Sequence, residues 1–312
     1  MAESPSLRDR ALGVLRGVFL AAVLTFAWLG LRGRWDEVGD ALSETSPAGA
    51  VAGLLLVLAG LSVTGLVWRR LMACLGAPMP VVDGNATFFV GQLGKYIPGS
   101  VWSIGAQARL AARYRVPART TVAAGLLFLG YHVATAVVLG ALALLLGTLD
   151  SPWPWWVSLL GLVGAGAGLL PFVVRRAAGR VSGVEPRLGA RETVVVLALM
   201  AVVWAAYAAS LVLLAPGVPW DDLVALGAAF AGAYAVGVVV VVAPAGVGAR
   251  EGVFVLLLTP VTGVAGATAL ALLARVVHTV ADGLLAAVWS LAARTSDRTG
   301  PEPHSAHART PR

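Results

Sequence analysis

Two stretches of this chain stay apolar for longer than a soluble core helix requires. No Asp, Glu, Lys or Arg occurs in residues 48–68 or in residues 120–147. A helix of about 20 apolar residues spans the ~30 Å hydrocarbon core of a bilayer. Because both runs reach that length, and 58% of all residues are hydrophobic, the sequence predicts a polytopic membrane protein that folds as an all-α helical bundle.

Further apolar runs place the other crossings. We predict spans at residues 12–31, 48–68, 120–147, 157–174, 192–214 and 223–242, and a long helical run at residues 265–293. Residues 12–293 then form one transmembrane domain. Residues 1–11 are a polar lead, and the polar residues 294–312 predict a disordered tail. The number of crossings after residue 242 stays open.

Charge is divided unevenly between the two sets of connecting segments. Of the 23 basic residues, only Arg32 and Arg34 fall in segments assigned to the outer side, which are otherwise acidic. Basic residues crowd the opposite side, for example within residues 113–119 and 175–191. This positive-inside pattern predicts that both termini are cytoplasmic and that the basic segments meet anionic membrane lipids. Nucleic-acid binding is not expected. Scarce lysine beside abundant Ala, Gly, Val and Arg is typical of a high-GC bacterial genome.

The first interruption of the apolar pattern lies at residues 94–102, with the sequence GKYIPGSVW. Helical segments before and after it are each too short to cross a bilayer, so residues 83–113 predict a re-entrant hairpin that turns at Pro98 and Gly99. Ser100 is suited to cap the second helix, and Lys95 to meet a phosphate. The alternative is that Lys95 extends to the membrane interface and the proline only turns the chain.

A second interruption, residues 243–252, has the sequence APAGVGAREG. It predicts another broken segment over residues 243–260, with a short helix at residues 253–258 that stops near Pro260. Gly246 and Gly248 let the backbone approach a ligand, which Arg250 would contact. Glu251 either takes part in that site or neutralises Arg250 in a structural ion pair. Because both interruptions combine Pro, Gly and a cation, they hint at two related halves.

A third polar group lies in the last helical run. Arg275, His278 and Asp282 share one helical face, and Arg275 and Asp282 could pair directly or through His278. A structural network and a head-group or proton-coupled role both fit this face. Arg109 would lie at the mouth of the same cavity or serve as a cytoplasmic anchor. His132 is interpreted as hydrogen-bonded structure.

Several classes of protein are disfavoured. The single cysteine, Cys74, excludes an internal disulfide and a cysteine-based metal cage. No nucleotide-binding fingerprint follows a strand. We therefore predict no cofactor, no metal site and no catalytic residue. The oligomeric state stays open, and a homo-oligomer is compatible with the sequence.

The two interrupted motifs and the run from Leu272 to Asp282 resemble the membrane domain of the lysylphosphatidylglycerol synthase/flippase family, over roughly residues 10–293. The resemblance implies a protein of the bacterial plasma membrane that moves a lipid or a lipid-linked head group. Full-length synthases of that family carry a large soluble aminoacyl-transfer domain, which this sequence does not show. Enzymatic activity is therefore not expected.

The sequence thus favours a flippase that translocates an anionic phospholipid or a polyprenyl-phosphate-linked substrate. Its expected contacts come from both interruptions and from the last helical run: Lys95, Pro98, Gly99, Ser100, Arg109, Gly246, Gly248, Arg250, Glu251, Arg275 and Asp282. The alternative is a membrane scaffold or regulator of cell-envelope biosynthesis that transports nothing.

Overall fold

A computed structural model describes residues 35–96, 102–150, 153–239 and 248–298, and every regular element within them is helical. This confirms the predicted all-α class. The predicted span at residues 12–31 lies outside the described residues, as do Pro98, Gly99, Ser100 and Gly246. The last helix ends at Arg298, so residues 294–298, predicted to begin a disordered tail, are helical.

Ten α-helices follow one another along the described chain. They are α1 (Trp35–Ser43), α2 (Pro47–Cys74), α3 (Val81–Gln92), α4 (Trp102–Ala111), α5 (Ala118–Leu145), α6 (Trp155–Gly168), α7 (Pro171–Ser182), α8 (Ala190–Leu214), α9 (Leu223–Val239) and α10 (Ala249–Arg298). Five helices of the described chain are long and apolar enough to cross a membrane, or six when a bent pair counts as one. The chain is therefore a multi-pass membrane protein.

The bent pair corrects one predicted span. Residues 157–174 do not form one straight helix, because α6 ends at Gly168 and α7 begins at Pro171 with a bend of 64°. Proline lacks the N–H that would continue the earlier helix but fits the first turn of a new one. The predicted crossing is therefore a broken element.

Helices α2 and α8 run antiparallel and are fastened at both ends. Near the start of α2, the Thr45 hydroxyl donates to the Leu214 carbonyl. At the other end, Arg70 and Glu192 form an ion pair of 3.2 Å. Between them, a β-carbon on Gly60 would lie 2.8 Å from the Tyr207 ring, so the missing side chain lets the helices approach closely.

Helices α3 and α4 form the first hairpin, as the sequence predicts. A four-residue 3₁₀ turn, Leu93–Tyr96, extends α3 towards the interruption. Across the hairpin, Gly91 of α3 lies against Gln107 of α4, and Gly94 of the 3₁₀ turn lies against Ser103 of α4. Since the contact moves backwards along α4 as it moves forwards along α3, the two helices are antiparallel.

The last helix, α10, reverses at Gly263, so the short helix predicted to stop near Pro260 instead continues through Pro260 and ends just before Gly263. Glu251 and Arg275, which lie 24 positions apart in the sequence, form an ion pair of 2.6 Å. A straight helix would separate them by about 36 Å. The backbone of Gly263 is non-helical (φ 70°, ψ 167°). Proline removes one hydrogen bond, but a reversal with positive φ needs glycine.

The first limb of α10 (residues 249–262) also packs antiparallel to α9, forming the second hairpin. The ring centroids of Phe230 and Phe254 are 5.8 Å apart. A β-carbon on Gly237 would lie 2.9 Å from the Cβ of Arg250. The second limb of α10 (residues 264–298) then passes the 3₁₀ turn Leu93–Tyr96 at the end of α3. Each hairpin therefore brings one interrupted motif to the same part of the second limb.

Candidate functional site

A cavity of about 160 Å³ lies where the two hairpins meet the second limb of α10. Four of the predicted site residues line it: Lys95, Arg250, Arg275 and Asp282. The other polar and aromatic groups in its wall come from seven helices and the 3₁₀ turn. They include Gln92, Tyr96, Ser103, Gln107, Phe128, His132, Tyr207, Phe230, Tyr234, His278 and Thr279. Three of the four predicted cations, Lys95, Arg250 and Arg275, therefore line one chamber.

Asp282 ties the first hairpin to the second limb of α10. Its Oδ2 atom lies 2.6 Å from Lys95 Nζ and accepts a 2.7 Å hydrogen bond from the Tyr96 hydroxyl. The aspartate is 4% exposed, whereas the Lys95 side chain is 34% exposed. A charge-assisted contact of this kind is stronger than a neutral hydrogen bond. The possible pairing of Asp282 with Arg275 is not seen among the described residues, because each forms an ion pair with a residue of another segment, Lys95 and Glu251 respectively.

Glu251 fixes Arg275 and the start of α10 together. Its Oε1 atom accepts a 2.6 Å hydrogen bond from Arg275, and its Oε2 atom accepts a 2.7 Å bond from the Gly248 backbone N–H. The second contact is the reach-back of a helix-capping box, which satisfies a free N–H at the helix start. Gly248 itself has a positive φ of 87°. Glu251 thus neutralises Arg275, and the alternative in which Glu251 forms an ion pair with Arg250 is not seen among the described residues.

Arg250 faces aromatic rings instead of a carboxylate. Its guanidinium carbon lies 4.4 Å from the centroid of Phe230 and 5.8 Å from that of Tyr234. Such rings attract a cation through their negative faces. None of the ion pairs among the described residues includes Arg250. Its positive charge is therefore not neutralised by a described carboxylate.

The charges around the cavity are consequently unequal. Lys95, Arg250 and Arg275 supply three positive charges, while Asp282 and Glu251 supply two negative ones. The described groups therefore leave one positive charge in excess, and it belongs to Arg250. In a partly desolvated chamber such a charge attracts an anion more strongly than it would in water.

Arg109 is not brought to this site. It lies in the last turn of α4, it is exposed, and it is absent from the cavity wall. Of the predicted glycines, Gly248 lies at the start of α10 beside the cavity-lining Arg250, and its N–H is engaged by Glu251.

Several cavity groups were missed by sequence reasoning. Tyr96 belongs to the first motif, but only the fold shows that its hydroxyl reaches Asp282. Gln107 is a polar residue with 2% exposure, and Gly91 faces it. The sequence signal that could have identified Gln107 is an amide side chain on the buried face of one helix, opposite a neighbouring helix that contains glycine.

His132 also departs from its expected role. It is 6% exposed, and neither ring nitrogen has a hydrogen-bond partner among the described residues. Its ring stacks on Tyr234 with centroids 4.6 Å apart and meets Trp204 edge-on at 4.9 Å. The prediction that it is part of a hydrogen-bonded structure is wrong for the described chain.

Comparison with known proteins adds one result. Residues 13–286 match the family described as "Lysylphosphatidylglycerol synthase TM region". This match covers most of the chain, including both interrupted motifs and the second limb of α10 as far as residue 286. No curated protein sequence matches the chain.

Proposed function

From the premise that the chain belongs to the lysylphosphatidylglycerol synthase membrane-region family, we propose that it binds the phosphate of a lipid head group and moves that lipid across the bilayer. The lipid is an anionic phospholipid or a polyprenyl-phosphate-linked substrate. The single observation that carries the proposal is the unneutralised Arg250 in the wall of the cavity. The proposal includes binding and movement and no bond-making step.

A phosphate suits the charges of this chamber. The guanidinium of an arginine presents paired N–H groups that match two phosphate oxygens, and it keeps its charge when partly buried. Lys95 and Arg275 line the same cavity, although each is paired with a carboxylate in the structure. A lipid phosphate beside Arg250 would compete with Asp282 for Lys95.

That competition provides a route from binding to movement. Lys95 and Tyr96 connect the first hairpin to Asp282, while Glu251 connects the two limbs of α10. If a phosphate draws Lys95 away from Asp282, the tie between the first hairpin and α10 weakens. Transporters with paired broken helices alternate between two faces by such relative motions of one element against another.

The orientation proposed from the sequence completes this account. The segments rich in arginine, including those around Arg70 and Arg113, face the cytoplasm of a bacterial plasma membrane, and both termini lie on that side. The first hairpin then enters from the cytoplasmic side and the second from the outer side. Their meeting point would lie at membrane depth.

Replacing Arg250 tests the proposal. In vesicles that contain the purified protein, translocation of a fluorescent anionic phospholipid should be lost in Arg250→Ala and retained in Arg109→Ala, an exposed control. Binding of that lipid to Arg250→Ala in detergent should fall at least about tenfold, since hydrogen bonds to charged groups contribute about 1.5–3 kcal/mol. Unchanged transport and binding in a folded Arg250→Ala protein would refute the proposal.

One observation favours a second candidate. Lys95 and Arg275, two of the three cavity cations, already have carboxylate partners, which is the expected arrangement in a non-transporting scaffold or regulator of envelope biosynthesis. In that case Arg250→Ala would change thermal stability but not lipid binding. A lipid titration of the purified protein therefore separates the two functions.

A further inference from the structure

We infer that the same cavity contains a second subsite, formed by Gln107, His132 and His278, that accepts hydrogen bonds from hydroxyl groups of the lipid head group. This inference rests on the proposed function, because it describes the part of the ligand next to the phosphate. All three side chains line the cavity. Each has at least one enclosed polar atom without a hydrogen-bond partner among the described residues.

Gln107 supplies the first unmatched acceptor. The side chain is 2% exposed and lies between Gly91 of α3 and Gly125 of α5. Its Oε1 atom has no partner in the described chain. An amide oxygen can only accept hydrogen bonds, and a buried acceptor without a donor destabilises the ligand-free state. A ligand that brings a donor relieves that penalty.

His278 supplies the second unmatched acceptor, its Nε2 atom. Its Nδ1 atom lies 2.8 Å from the Ala274 carbonyl, which can only accept, so Nδ1 carries the hydrogen. Its ring meets Tyr207 at 4.9 Å and Phe230 at 5.1 Å. A further positive charge beside Arg250 in this apolar contact would be unfavourable, so the ring is neutral. Nε2 is then an acceptor, and it has no partner among the described groups.

His132 supplies one further acceptor and one donor. Both ring nitrogens are enclosed and have no partner in the described residues, and a neutral ring has one nitrogen of each kind. The imidazole lies among Phe128, Trp204 and Tyr234, and none of these residues forms a hydrogen bond with a nitrogen of the His132 ring. Among the enclosed unmatched atoms of Gln107, His278 and His132, acceptors therefore outnumber donors by three to one.

The positions of His278 and His132 connect these two acceptors to the phosphate site, and Gln107 lines the same cavity. Arg250 lies over Phe230 and Tyr234, and the same two rings contact His278 and His132 respectively. A head group whose phosphate meets Arg250 would thus place its next atoms beside these imidazoles. Because the nitrogens are enclosed in the structure, contact requires rotation of the imidazole rings as the ligand enters.

The chemistry selects a class of head group. Hydroxyl groups donate without carrying charge, whereas an ammonium donor would approach a wall that already has excess positive charge. Aromatic rings such as Tyr234 and Phe230 also suit the C–H faces of a glycerol or a sugar. The ligand is therefore a phosphodiester with a hydroxylated head group, and it is neither a bare phosphate nor an amine.

The test compares lipids that differ only in the head group. The purified full chain is titrated in detergent with short-chain phosphatidylglycerol, phosphatidylmethanol and phosphatidylethanolamine. Phosphatidylglycerol and phosphatidylmethanol each carry one negative charge, but only phosphatidylglycerol has hydroxyl groups in its head group. The wild type should bind phosphatidylglycerol about tenfold more tightly than phosphatidylmethanol, and phosphatidylethanolamine more weakly than either. Equal binding of the first two lipids, or preferred binding of phosphatidylethanolamine, would overturn the inference.

Variants separate this inference from the proposed function. Gln107→Met and His132→Phe keep the approximate shapes, and each should reduce the preference for phosphatidylglycerol while leaving phosphatidylmethanol binding unchanged. Arg250→Ala should weaken the binding of both lipids by the same factor. If only the Arg250 result appears, the hydroxyl subsite is refuted and the phosphate site stands. If Arg250→Ala has no effect on either lipid, the proposed function fails.

Folding is controlled within the same set of variants. Replacing an enclosed unmatched polar group by an apolar group of similar shape is neutral or stabilising. The ligand-free melting temperature of Gln107→Met should therefore equal or exceed that of the wild type. A marked fall would show that Gln107 is a structural group and would count against its role in the subsite.

Discussion

The tie between Lys95 and Asp282 gives the most quantitative prediction. Asp282 is 4% exposed and lies 2.6 Å from Lys95 Nζ, whose side chain is 34% exposed. Removing one member of a buried ion pair costs about 3–5 kcal/mol, whereas an exposed pair contributes about 0–1 kcal/mol. Because one partner is buried and the other is one-third exposed, we expect Asp282→Asn to lose about 2 kcal/mol of unfolding free energy.

Lys95→Met should destabilise the protein by at least as much, because it leaves the more buried partner, Asp282, without its counter-ion. The double variant should recover much of the loss, since neither charge then remains unpaired. Thermal unfolding in detergent measures all three, and ~2 kcal/mol corresponds to a fall of roughly 3 °C in a chain of this size. Glu192→Gln, in a more exposed pair with Arg70 at 3.2 Å, is the control and should change stability by less than about 1 kcal/mol. Additive effects of Lys95→Met and Asp282→Asn would show that the two groups do not interact.

Two further predictions concern the backbones of the hairpin regions. Gly91→Ala would place a methyl group against Gln107, because the two residues are in contact across the first hairpin; we expect a loss of about 1–3 kcal/mol in a denaturation experiment. Gly105→Ala, in α4 with no neighbouring atom within 4 Å, is the control and should stabilise the helix by roughly 0.5–1 kcal/mol. Gly263→Ala should destabilise the reversal of α10 by about 1–3 kcal/mol, because its φ of 70° with ψ of 167° is accessible mainly to glycine; an unchanged melting temperature would contradict the reversal.

The sequence was sufficient for the features that depend on local pattern. Long uncharged runs predicted the crossings, because only a helix satisfies its backbone within the bilayer. The combination of Pro98 and Gly99 predicted a hairpin, and the described limbs of that hairpin, α3 and α4, are antiparallel. The cations Lys95, Arg250 and Arg275 were correctly expected to lie close together, since all three line one cavity.

Features that depend on distant partners could not be predicted. Helical periodicity places Arg275 and Asp282 on one face, but it does not show that Glu251 and Lys95 come from other elements to pair with them. Proline marked Pro260 as the expected end of a helix, whereas the reversal occurs at Gly263, where the backbone needs a positive φ. The sequence contains both residues, and only the packing of the two limbs of α10 determines which one forms the break.

Gln107 illustrates the same limit for the site. A single glutamine in a short helix has no sequence signature of its own. Its importance arises from enclosure between Gly91 and Gly125 and from an oxygen without a donor in the described chain. Burial and hydrogen-bond matching are properties of the folded chain, so the candidate hydroxyl subsite became visible only with the structure.

The most direct measurement is an experimental structure of the protein in a lipid nanodisc with bound phosphatidylglycerol. We predict that the phosphate lies within hydrogen-bond distance of the Arg250 guanidinium, inside the cavity between the two hairpins. A lipid phosphate bound elsewhere, with Arg250 still in contact only with Phe230 and Tyr234, would contradict the account.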